Sequence, residues 1–130
     1  LKKLASLTKR EKEVLIVTLG VVSTLGFMLK LPRIFHHFDK ELHALFYFFA
    51  AFVLTALYPK KHVFIALLLA FFGVCIEVAQ QLSNRLFVKR IHGRFDSEDV
   101  IANYKGIIFF SIIYICWRLF KKTTAFHGGL

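Results

Sequence analysis

The chain of 130 residues is 57% hydrophobic, holds 16 Phe against only 7 Gly and 2 Pro, and carries a net charge of +10. An apolar share so far above that of ordinary domains excludes a soluble single domain and a disordered chain, and two cysteines exclude a disulfide-stapled secreted scaffold. In so apolar a chain the 18 Lys and Arg are read by their position relative to a bilayer, and no nucleic-acid partner is expected.

A membrane-spanning helix needs about 20 largely apolar residues at a rise of roughly 1.5 Å each. Four stretches approach this. The first runs from about Val14 to Leu31 and is ended by Pro32. Its basic start at Lys2, Lys3, Lys9 and Arg10 resembles a signal peptide, but no small-residue cleavage site follows, so an uncleaved helix is expected. His36 and His37, beside Phe35 and Phe38, read as an interfacial segment at headgroup level. The second stretch covers Leu42 to Tyr58 and the third His62 to Leu82, with Pro59, Lys60 and Lys61 forcing a tight antiparallel hairpin between them. A basic insert from Asn84 to Arg90 follows. The fourth stretch, Val100 to Phe120, opens after the run Arg94 to Asp99, in which Ser97 or Asp96 caps the helix and Asp99 sits in its first turn. Cys75 and Cys116 fall at different depths, too far apart for a disulfide, and read as small core residues. The expected fold is all-α: one domain over residues 1–130, an integral membrane bundle of four transmembrane helices.

Orientation follows from the basic residues near the span ends. With both termini on one side, that side holds ten: Lys2, Lys3, Lys9, Arg10, Lys12, Lys60, Lys61, Arg118, Lys121 and Lys122. The other side holds seven, Lys30, Arg33, Lys40, Arg85, Lys89, Arg90 and Arg94, and Lys105 lies inside the fourth span, from where it snorkels outward. Both termini are therefore expected in the cytoplasm.

The polar residues within the spans gather near one membrane face. Asp39 and His43 are spaced i,i+4; Glu77 with Gln80 and Gln81 i,i+3 and i,i+4; Asp99 with Asn103 and Gly106 i,i+4 and i,i+7. Each set forms one stripe on a helix, and the cost of facing a carboxylate to lipid turns the stripes inward toward a shared polar pocket that opens outward. Asn103 and Gln80 are expected to hydrogen-bond between helices, and Gly106 to allow close helix approach.

Asp39-Lys40 with His43 and Tyr47, then Glu77 with Gln80, then Arg94, Asp96, Asp99, Asn103 and Gly106 resemble, in that order, the VanZ-like family of membrane proteins associated with resistance to the glycopeptide teicoplanin. The resemblance covers about residues 38–120. Two features depart from the family pattern: the basic insert, which leaves Arg94, Arg90 and Arg85 as alternatives for the family's arginine, and Phe110 where a second small residue is expected. The resemblance implies a multi-pass protein of the bacterial cytoplasmic membrane that acts on the cell envelope.

Two functions remain open. In the first, Asp39, Lys40, His43, Glu77, Gln80, Arg94, Asp96, Asp99 and Asn103 bind the headgroup of a membrane lipid or a lipid-linked cell-wall intermediate. In the second, an envelope enzyme uses Glu77 as acid or base and His43 as proton shuttle, with Arg94 stabilising negative charge. Glu77 is expected to be ionised and partnered by a cation, Arg94 first and otherwise Lys40, His43 or Arg90, either in a functional role or simply to lock the helices together. Asp39, His43, Glu77 and Asp99 spread over three helices are a weak pattern for a divalent ion, so no metal and no cofactor are assigned.

Overall fold

The computed structural model describes residues 2–28, 38–86 and 96–127, and among these the ordered elements are all helical. A short helix α1 (Lys2–Ala5) precedes α2 (Lys9–Met28), α3 (Asp39–Leu57), α4 (His62–Leu86) and α5 (Ser97–His127). Three segments are long and apolar enough to cross a membrane: Asp39–Leu57, Pro59–Leu86 and Ser97–Thr124. The described part of α2 does not join them. Its first turns carry Lys9, Arg10, Glu11, Lys12 and Glu13, and the end of the first expected span, residues 29–31, lies outside the described residues, as do His36 and His37.

The sequence explains where the helices begin and end. Thr8 and Glu11 form a capping box at the start of α2: the Thr8 N–H donates to Glu11 Oε2 at 2.7 Å, and the Glu11 N–H donates to Thr8 Oγ1 at 3.3 Å. Pro59, which has no N–H to continue α3, opens a 3-10 turn over Pro59–Lys61 that leads straight into α4. Tyr114 of α5 clamps this turn by donating its hydroxyl to the Pro59 carbonyl at 2.8 Å. Asp96 caps α5: its Oδ1 accepts the Glu98 N–H at 2.8 Å, and its carbonyl accepts the Asp99 N–H at 3.2 Å. The sequence left Ser97 and Asp96 as alternatives, and the geometry selects Asp96.

The helix α3 is the centre of the packing, with α5 along most of its length and α4 on its flank. Close approach of α3 and α5 depends on Gly106, where a Cβ would overlap the Ala44 carbonyl oxygen and stand 2.9 Å from the Ala44 carbonyl carbon. The expectation for Gly106 is met. Further along, Phe110 is buried against Phe48 at 5.7 Å, Phe52 at 6.0 Å and His62 at 5.8 Å between ring centroids. The large ring at this position is therefore core, filling the widening gap between helices beyond the tight contact at Gly106.

Two expectations need correction. Cys75 and Cys116 are exposed on the outer faces of α4 and α5 rather than packed in the core, because both lie off the stripes that face α3. The helix α4 also continues to Leu86, four residues past the expected end, since Ser83, Asn84 and Arg85 are compatible with helix and no Pro or Gly intervenes. Glu77 is thereby nine residues, or roughly 13 Å, from the end of its helix rather than five.

Candidate functional site

The polar stripes of α3, α4 and α5 meet. Tyr47, Glu77 and Asn103 are 0%, 1% and 1% exposed, and His43 is 6% exposed. Large apolar side chains instead cover the outside: Val63, Leu67 and Phe71 on α4 are 71%, 66% and 69% exposed. This polar-in, apolar-out arrangement reverses the soluble pattern.

His43 joins α3 to α5. Its Nδ1 lies 2.9 Å from Asn103 Oδ1, an atom that only accepts, so Nδ1 carries the proton and the lone pair of neutral His43 is on Nε2. Nε2 faces Asp39 Oδ1 at 3.9 Å. Asp99, one turn before Asn103, completes the group, and one ligating atom each from Asp39, His43 and Asp99 lie within 4.8 Å of one another. Phe27 of α2 lies against the His43 ring at 4.8 Å and edge-on to Phe46 at 4.9 Å, shielding this group on one side.

A second junction lies beside Gly73 of α4. A Cβ there would stand 2.9 Å from Asn103 Nδ2 and 3.1 Å from Tyr47 Oη, so the absence of a side chain lets Asn103 and Tyr47 reach the centre. One turn further, Glu77 Oε2 accepts the Asp96 N–H at 3.2 Å, which ties α4 to the cap of α5. Among the described residues, Glu77 Oε1 and the Tyr47 hydroxyl are buried without a hydrogen-bond partner. Among the described residues the titratable groups near Glu77 include Asp99, His43 and Asp96.

The expected residues are therefore partly gathered. Asp39, His43, Glu77, Asp96, Asp99 and Asn103 contribute to the two junctions. Lys40 points elsewhere and pairs with Glu98, each side chain more than half exposed. Gln80 bonds between helices as expected, but to α2, donating Nε2 to the Phe27 carbonyl at 2.7 Å. The described partner of Glu77 is a backbone N–H rather than the cation expected of the sequence; Arg94 and Arg90 lie outside the described residues, and Arg85 is exposed. The sequence reading missed Gly73, Phe27 and the buried pair Thr55 Oγ1–His62 Nδ1 at 3.1 Å near the Pro59 turn. A lone glycine inside an apolar span was the available signal for Gly73.

No family model, curated protein or solved structure matches the chain.

Proposed function

We propose that the chain is a multi-pass protein of the bacterial cytoplasmic membrane, four spans with both termini cytoplasmic, whose polar cluster engages the headgroup of a lipid or a lipid-linked cell-wall intermediate from the outer face. The observation that carries this reading is the pair of buried polar atoms, Glu77 Oε1 and Tyr47 Oη, that have no partner among the described residues and sit in a cluster walled by apolar surface. Unsatisfied polar groups in so apolar a setting cost about 1–3 kcal/mol each, and a ligand hydroxyl or amide offsets that cost. The basic residues of the insert between the last two spans supply, by sequence, the positive charge for a phosphate. The order of residues shared with VanZ-like proteins supports an envelope role and an effect on teicoplanin sensitivity.

Native mass spectrometry of the purified chain tests the binding directly. Phosphatidylglycerol and undecaprenyl phosphate are expected to be retained over phosphatidylcholine, and Asn103→Ala is expected to lower their retention. Equal retention of all three lipids would remove the reading. Glu77→Gln separates the two chemistries: a binding protein keeps part of its effect on teicoplanin sensitivity, whereas an acid–base enzyme loses nearly all of it.

A further inference from the structure

The group formed by Asp39, His43 and Asp99 has a chemistry of its own. Its three side chains come from two helices held together by the Gly106 contact, and one ligating atom from each lies within 4.8 Å of the others. Two donors at about 2.1 Å from one ion stand roughly 3.4 Å apart at a tetrahedral angle and about 4.2 Å apart when opposite, so small carboxylate rotations close the set. The His43 Nε2 to Asp39 separation of 3.9 Å is too long for a hydrogen bond and falls inside that range.

The imidazole is also set up as a ligand. With Nδ1–H donated to Asn103, the Nε2 lone pair is directed by a neighbour of the kind that orients metal-bound histidines. Charge points the same way. Asp39, Asp96, Asp99 and Glu77 lie near His43, and at 1% exposure Glu77 keeps one oxygen without a partner among the described residues. Among the described residues the nearby cation is Lys40, already paired with Glu98. Carboxylates concentrated inside a membrane bundle call for a cation.

We propose that Asp39, His43 and Asp99 bind a divalent transition-metal ion of the zinc or manganese class. One nitrogen and two carboxylate oxygens suit these ions better than calcium or magnesium, which take all-oxygen sets. Asn103 positions His43. Three protein ligands leave a coordination position open, and, resting on the headgroup reading above, that position takes a phosphate oxygen of the lipid.

The full chain in nanodiscs, stripped with EDTA and loaded with Zn2+, Mn2+, Ca2+ or Mg2+, gives the test by elemental analysis after gel filtration. Wild type is expected to hold about one Zn2+ or Mn2+ per chain, with Ca2+ and Mg2+ about tenfold weaker or more. His43→Gln and Asp99→Asn should each lose the ion, and Asn103→Ala should weaken it about 10- to 100-fold. His62→Gln and the double variant His36→Ala/His37→Ala should keep it. If His43→Gln or Asp99→Asn fails to fold, wild type labelled with 15N-histidine replaces it: Zn2+ must shift the His43 imidazole resonances and leave those of His62 in place. The proposal is overturned by absence of binding in wild type, by preference for Ca2+ or Mg2+, by wild-type affinity in the two folded ligand variants, by an unmoved His43, or by binding that appears only in Arg94→Ala. Equal headgroup retention by metal-free and metal-loaded protein removes the metal–phosphate contact and leaves the headgroup reading; a bound metal without headgroup retention removes the headgroup reading and leaves the metal site.

Discussion

Gly106 and Gly20 make opposite demands on the same substitution. A methyl at Gly106 meets the Ala44 backbone, which has no rotamer to yield, so Gly106→Ala must push α3 and α5 apart at a cost of about 1–3 kcal/mol or more. Nothing lies within 4 Å of the equivalent position at Gly20, and Gly20→Ala should stabilise α2 by about 0.5–1 kcal/mol through helix propensity alone. Denaturant unfolding in detergent micelles checks both signs; a neutral Gly106→Ala would mean that the two helices do not touch there. Gly106, Asn103 and Gln80 were legible in the sequence because a small or polar residue inside an apolar span has few other uses. Gly73 carries the same signal, but which groups it admits is set by other helices, as the Asn103 amide above it shows, and the same holds for the partners of Phe27 and Thr55. No local pattern records such contacts.

Among the elements, α2 shows how a local signal governs a helix end. The Glu11 carboxyl accepts the Thr8 N–H and hydroxyl at 2.7 and 2.8 Å, and these bonds hold its pKa below the ordinary 4.5. A carboxyl with a lowered folded pKa contributes stability above its unfolded value and loses it as pH falls through the folded value. Hydrogen-exchange protection of the Thr8 and Glu11 amides should therefore hold at neutral pH and fade below about pH 4.5. Thr8→Ala should remove about 0.5–2 kcal/mol from this helix start at any pH and lessen the acid dependence without abolishing it, because the residue 8 N–H, the larger cause of the lowered Glu11 pKa, still donates to the carboxyl. Unchanged protection in Thr8→Ala would show that packing of α1 rather than the cap secures the turn. The three apolar helices and the Pro59 turn between α3 and α4 were readable from length and composition, while the start of α3 and the far end of α4 were not. Apolar periodicity stops at Leu82, yet Ser83, Asn84 and Arg85, with no Pro or Gly among them, let α4 run on to Leu86, and α3 starts at Asp39 because acidic residues suit a first turn.

For the whole molecule, charge and aromatic rings mark one end. Lys12 and Lys61 lie over the Tyr58 ring at 5.4 and 5.8 Å, and Lys121 over Trp117 at 5.1 Å, the composition of a headgroup boundary. With Cys75 and Cys116 replaced by serine, a cysteine at Lys61→Cys should resist an impermeant maleimide in intact cells, and one at Arg85→Cys should react. The opposite labelling pattern would invert the topology and turn the polar cluster toward the cytoplasm.

The bond between Glu77 and the Asp96 N–H, 19 residues later in the chain, also sets an order of events during synthesis. The α3–α4 hairpin is complete before α5 is, so on the membrane-spanning reading of these helices Glu77 reaches an apolar setting when its partner amide is made but not yet placed by a folded α5. The bond closes only as α5 forms, so a chain truncated within α5 should leave that carboxyl unpaired and be degraded rather than accumulate as a partly working protein.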